Sequence, residues 1–283
     1  MAKTIPLLLL LLLVSLLSGV ILFYSPKSVT LAGADPNDPA KEDLTRVEYP
    51  SQQSIKWTAH FIMPGETLES LFGKNWPLVA RFNRLDRRHA YPGLTIKAPV
   101  NINDLKTYEP MPLEYKPAER YDKYILINLT EQWLGAYEKG KLKFSVPVAT
   151  GKEGFETPAG LYRIDARDKN HKSSLYQIDI DNNSGQYPMD NAMRFYIGPD
   201  LTAYWIHARD LPGRPASHGC VGLFDEAMQK RVYGTPTDPV LLDAEKVYNW
   251  AVGDSEYGPD SGTLEELELG PVVEIIGQNP VYK

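Results

Sequence analysis

The chain has 283 residues, enough for one large or two modest domains, and 43 % of them are hydrophobic, which is sufficient for a packed core. A formal net charge of -6, with neither a basic face nor a stripe of alternating aromatic and basic residues, speaks against nucleic acid as a partner. One cysteine rules out an intrachain disulfide and a zinc site built on paired thiolates, and the five histidines form no HExxH.

Residues 1–27, "MAKTIPLLLLLLLVSLLSGVILFYSPK", carry no charge between Lys3 and Lys27. Such a run fits an uncleaved membrane anchor or a secretory signal peptide, and both export the rest of the chain. The expected location is the cell envelope: the periplasm, with an N-terminal helix in the inner membrane. Residues 28–57 are polar, lack sustained periodicity and read as a linker.

Residues 58–100 read as a small βααβ unit. His60, Phe61 and Ile62 suggest a strand, and "PGET" turns into a helix with Thr67 as its N-cap. Leu68, Leu71 and Phe72 fall at helical spacing; Leu78, Val79 and Phe82 suggest a second helix; "YPGLTIKAP" returns as a turn and strand. Pro64-Gly65-Glu66-Thr67-Leu68, Asn83 at the end of the second helix, and Pro92-Gly93 with Leu94 and Ile96 resemble the LysM carbohydrate-binding module. That resemblance implies binding to the glycan strands of peptidoglycan; the plainer reading is a unit that spaces or docks against its neighbour. Trp76 and Arg87-Arg88 are not part of the pattern.

Residues 101–120 are rich in proline and read as an extended connector. A strand-dominated domain is expected over 121–243. "YDKYILINLTEQWLGAYEKGKLKFSVPVATG" predicts three strands, with "EKGKL" as a turn, and "TPAGLYRIDAR" a fourth. "MRFYIG" and "AYWIHA" predict two more, "FDEAMQKRVYG" a helix stopped at Gly234, and "TPTDPVLLD" a strand at 240–242. Residues 244–283 are an acidic extension in which "TLEELELG" is a helix turn or edge and "PVVEIIG" a strand over 272–276.

The cysteine, Cys220, lies in "RPASHGCVGL", and His207 ends the apolar run "YWIH". In an oxidising compartment a lone thiol without a use is a liability. A thiol that attacks an acyl carbon needs a base, a group to orient that base, and donors for the oxyanion. A strand-end histidine supplies a rigidly held base, and Gly219 lets backbone approach a substrate closely. His60, His89 and His171 read as surface or turn residues without a role.

The spacing His207, nine residues, then Ser217-His218-Gly219-Cys220 resembles the L,D-transpeptidase (YkuD) domain. "VATGKEGFETPAGLYRI", with Thr157-Pro158-x-Gly160, and "YGTPTDPVLL" fit the same family. The resemblance implies a mainly β fold: a β-sandwich catalytic domain with a short helix, preceded by the LysM-like module. It makes Cys220 the nucleophile and His207 the base, with Gly219, His218 and Ser217 shaping the site or its oxyanion pocket. It implies an exported enzyme of peptidoglycan biosynthesis and cell shape that forms a Cys220 thioester on a tetrapeptide stem, releases D-alanine and passes the acyl group to an amine. No metal and no organic cofactor is implied. Implied partners are stem peptides, glycan strands, the membrane through the N-terminal segment, and other cell-wall enzymes.

Three positions depart from the family pattern: Ala208 stands where glycine is common, the spacer is short, and Gly222 stands where arginine is common. Arg194, Arg209 and Arg214 are candidates to supply that positive charge to the substrate. An L,D-carboxypeptidase or crosslink hydrolase using the same thioester, and a non-catalytic wall-binding protein, are the competing functions.

Overall fold

The computed structural model describes residues 43–180, 183–253 and 263–283. The expected anchor at 1–27 lies outside them; among the described residues no helix is long and apolar enough to cross a membrane. The small unit comprises β1 (Trp57–Phe61), α1 (Leu68–Phe72), α2 (Trp76–Asn83) and β2 (Thr95–Pro99), with β1 and β2 antiparallel. Thr67 caps α1 as its side chain predicts: its hydroxyl accepts from Ser70 N–H, and Ser70 Oγ accepts from Thr67 N–H at 2.8 Å. Asn83 closes α2 and ties it to β2, donating to the Val79 and Lys97 carbonyls and accepting from Lys97 N–H.

The larger part of the molecule is mainly β. Its strands are β3 (Tyr124–Asn128), β4 (Trp133–Glu138), β5 (Lys141–Ala149), β6 (Gly160–Arg163), β7 (Ala166–Ile180), β8 (Asn183–Ile197), β9 (Ala203–Ala208) and β10 (Val221–Leu223). Two helices, α3 (Glu226–Tyr233) and α4 (Asp243–Val252), and two strands, β11 (Glu265–Glu266) and β12 (Val272–Ile276), complete it. The sheet order is β11-β7-β8-β9-β10-β5-β4-β3-β12-β6. The sheet curls on itself: Tyr162 on the edge strand β6 packs 5.4 Å from Phe195 and 5.0 Å from Tyr196, both on β8. The core inside the curl joins Ile125 and Ile127 with Ile206, Val221, Val247 and Ile275, so α4 and β12 belong to it.

Four expectations change. The expected strand at 240–242 is irregular: the Val240 and Leu241 N–H groups donate to Glu226 Oε2 instead of to a ladder. Helix α4 occupies the start of what reads as an acidic extension. The expected connector at 101–120 is folded onto the sheet, where Met111 and Ala118 are buried with Tyr124 and Tyr137. The described end of the expected linker is likewise packed, since Leu44, Val47 and Tyr49 share a core with Ile62 and Trp76 of the small unit and Ala149, Leu211 and Phe224 of the sheet domain.

That shared core fixes the small unit in place, and charge reinforces it. Arg87 clamps Glu226 with two hydrogen bonds of 2.7 Å and lies 4.5 Å over the Trp76 ring. A bidentate guanidinium–carboxylate pair of this kind is directional as well as strong. Asp86 accepts from Leu211 N–H at 2.7 Å and from Gln229 Nε2 at 2.9 Å, and Arg88 reaches Asp210 at 3.0 Å.

Candidate active site

Alternation along β9 sets the site. Tyr204, Ile206 and Ala208 pack toward the core, whereas Ala203, Trp205 and His207 line a cavity of about 760 Å³. β10 runs parallel to β9 with Val221 opposite Ile206 and Gly222 opposite His207. Cys220 immediately precedes β10, so it comes alongside Trp205, whose backbone N–H lies near the sulfur and favours its charged form. Cys220 and His207 therefore line the same cavity.

His207 is 2 % exposed. Its Nδ1–H donates to the Ala208 carbonyl at 2.7 Å, which leaves Nε2 as the free lone pair. The orienting group is thus a carbonyl from the next residue, and the Ala208 methyl is accommodated in the core. Burial, with Arg209 adding to it, lowers His207 to about 3, and burial pushes the Cys220 thiol up to about 11. At neutral pH both groups are uncharged.

The loop before Cys220 is held by hydrogen bonds from the "TG" and "TP" motifs. The Ala216 and Ser217 N–H groups donate to the Thr150 carbonyl, and Lys152 N–H donates to the Ser217 carbonyl. Thr157 Oγ1 accepts from Gly151 N–H at 2.9 Å and donates to the Gly219 carbonyl at 2.8 Å. Ser217 Oγ donates to the Cys220 carbonyl and accepts from Gly219 N–H at 3.0 Å. The Gly219 N–H is thus engaged within the loop, and Ser217, buried, ties the loop on both sides of Gly219. Gly219 has φ +113°, and a Cβ there would lie 2.5 Å from the Tyr204 ring, so both conformation and space demand glycine. His218 stacks on Tyr176 at 4.6 Å and meets Phe155 edge-on at 4.7 Å. Burial, then Lys152 and Arg209, lower it to about 4, so it is a neutral wall of the cavity.

The three candidate arginines separate. Arg209 and Arg214 line the cavity, and the Nε–H of each is buried without a hydrogen-bond partner. The Arg209 side chain lies over Gly222, where an added Cβ would stand 2.5 Å from its Cδ. The glycine at 222 thus makes room for an arginine arriving from 209. Arg194 does not line the cavity; it is paired with Asp165 at 2.7 Å.

Two groups read as idle in the sequence also line the cavity. His89 of the small unit donates from its backbone N–H to Asp86 Oδ1 and pairs with the same oxygen through Nδ1 at 2.9 Å. Burial works against its charge, but the Asp86 carboxylate outweighs that and raises it above the ordinary histidine value. His171, on β7, pairs with Asp168 and stacks on Trp205. The short spacer after His207 is what brings the small unit here: Leu85 bridges Pro212, and Gly213 N–H donates to the Arg84 carbonyl. No sequence signal foretells Arg88 or His89 in this wall. His171 reaches this wall on β7, a polar segment without the alternation that marks a strand.

Residues 122–253 match the family model of the YkuD, L,D-transpeptidase catalytic domain. No curated protein matches the chain. Among solved structures, an L,D-transpeptidase (Yku) from Stackebrandtia nassauensis is 21 % identical over 62 % of this chain and 63 % of its own length, with a TM-score of 0.36. An L,D-transpeptidase from Mycobacterium smegmatis is 14 % identical over 55 % of this chain and 59 % of its own, with a TM-score of 0.36. L,D-transpeptidase 1 of Mycobacterium tuberculosis is 15 % identical over 55 % and 62 %, with a TM-score of 0.32. The chain thus spans less than two thirds of the length of each of these relatives.

Proposed function

We propose that the chain is an exported cysteine L,D-transpeptidase that acts on the tetrapeptide stems of peptidoglycan, with Cys220 as nucleophile and His207 as base. The observation that carries this reading is the pair itself. One free thiol and one buried imidazole line a single cavity, and the imidazole's Nδ1–H is committed to the Ala208 carbonyl. His207 Nε2 takes the Sγ proton as sulfur attacks the carbonyl preceding D-alanine. The C–N bond breaks, the proton passes to the departing D-alanine amine, and the acyl group remains on Cys220 as a thioester. An acceptor amine then forms the new amide and releases the thiol. Arg209 and Arg214, with unpaired N–H groups in the cavity wall, supply positive charge for the stem carboxylates. Residues 1–27 would hold the enzyme at the inner membrane facing the periplasm, and the small unit would meet glycan strands.

The test is mass spectrometry of the full chain incubated with disaccharide-tetrapeptide. The expected result is an acyl adduct on Cys220, a crosslinked product and free D-alanine; Cys220→Ala should yield neither adduct nor product while folding normally. Adduct with only tripeptide product would reassign the enzyme to hydrolysis. Undiminished turnover by Cys220→Ala would end the thioester mechanism.

A further inference from the structure

We propose that His171, oriented by Asp168, is a second acid–base residue of this site and deprotonates the acceptor amine when the Cys220 thioester is resolved; the proposal rests on the thioester reading above. His171 Nδ1 lies 2.9 Å from Asp168 Oδ2, and Asp168 Oδ1 accepts from Asn170 N–H at 3.1 Å. Asp168 is 5 % exposed, so both carboxylate oxygens are fixed inside the protein. A carboxylate on Nδ1 selects the tautomer that leaves Nε2 as the lone pair. The ring is held against a second surface as well, stacked on Trp205 with centroids 4.3 Å apart and planes at 29°. Trp205 lies alongside Cys220 in the β9–β10 register and precedes His207 by two on the same face of β9, and all three line the cavity. His171 is therefore placed at the rim of the reacting centre by two independent contacts, and it lines the same cavity.

The two histidines differ in access, and the two half-reactions differ in what they ask. In acylation the proton that leaves sulfur is consumed by the departing D-alanine amine, so a base sealed from solvent suffices, and His207 is 2 % exposed. In resolution the acceptor arrives from outside as an ammonium, whose nitrogen can attack the thioester carbon only after it has shed a proton. The N–C bond then forms, the C–S bond breaks, and a second N–H proton passes to the departing sulfur, which becomes the free thiol. The second proton stays within the site, whereas the first must reach solvent. The His171 side chain is 23 % exposed, which allows Nε2 to accept that proton and pass it to water.

The experiment separates the steps in His171→Gln and Asp168→Asn forms of the full chain. Intact mass would track adduct formation with disaccharide-tetrapeptide, and a chase with a second stem peptide would track its resolution. Adduct formation should stay within about twofold of the unaltered chain, while resolution by the stem amine slows about 100-fold in His171→Gln and about tenfold in Asp168→Asn. Hydroxylamine, which attacks a thioester without base assistance, should clear the adduct at the same rate in all three, a result that a distorted site would not give. Equal losses in both steps, or resolution at the original rate, would overturn the role of His171 while leaving the Cys220 thioester standing. No adduct in the unaltered chain would overturn both.

Discussion

The two sides of the cavity are built on different principles. The side that carries Cys220 and His207 is local: one parallel strand pair and a loop whose polar backbone groups are tied to Thr150, Gly151 and Thr157. The facing side is assembled from remote pieces: Arg88 and His89 of the small unit, and His171 with Tyr176 and Tyr187 of the β7–β8 hairpin. Short-range hydrogen bonding fixes Cys220 and the loop before it, whereas long-range docking fixes the shape of the cavity in front of it. Bond-making groups need placement to a fraction of an ångström, which backbone ties provide. The enclosing side needs only shape and charge, and packed side chains supply those.

The largest effect should come from undoing the docked side. Arg87→Ala would leave the wholly buried Glu226 carboxylate without its cation and should cost about 3 kcal/mol in denaturant unfolding. Arg87→Lys should recover part of that. Unaltered stability in Arg87→Ala would mean that the shared hydrophobic core alone seats the unit. A second test probes the local side through pH. Since burial raises the thiol from 9.0 to about 11, Cys220 should react with iodoacetamide about 100-fold more slowly in the folded than in the unfolded chain at pH 8. The rate should climb with pH through that range. A fast reaction with a plateau at neutral pH would instead indicate a preformed thiolate–imidazolium pair. The smallest effect is expected for Thr157→Val, which leaves the Gly151 N–H and the Gly219 carbonyl unpaired. It should cost about 2 kcal/mol and lower turnover more than it weakens stem-peptide binding, because the loop that aims Cys220 loses its tie. A change in binding alone would move Thr157 out of the positioning role.

The legibility of the chain divides along the same line. The spacing from His207 to Cys220, the strands β3 to β5, the cap at Thr67 and the stop of α3 at Gly234 rest on neighbours in sequence, and the structure contains each of them. β7 escapes a sequence reading because "ARDKNHKSSLYQIDI" is polar along both faces and lacks the apolar alternation of a half-buried strand. His171 escapes with it. α4 carries its signal openly, with Ala244, Val247, Tyr248 and Ala251 at helical spacing, but the acidic residues around it suggest a solvated tail. The apolar run at 240–242 has strand composition, but its Val240 and Leu241 N–H groups donate to the Glu226 carboxylate rather than to a ladder. The lie of the Arg209 side chain over Gly222 is a matter of space shared by two segments, and no spacing rule in one chain reveals it.

β12 is the last of the described strands along the chain, yet it lies between β3 and β6, parallel to the one and antiparallel to the other. Until residues 272–276 emerge from the ribosome, β3 has a bare edge and β6 has no strand partner among the described residues. The sheet cannot close progressively from its first strand to its last; it must wait, and then join segments far apart in sequence. Chains of this connectivity fold slowly, because the entropy of closing long loops is spent before the pairing is gained. Closure of the curl therefore follows the synthesis of β12, and until then β3 keeps an unpaired edge while the strands before it can already be paired.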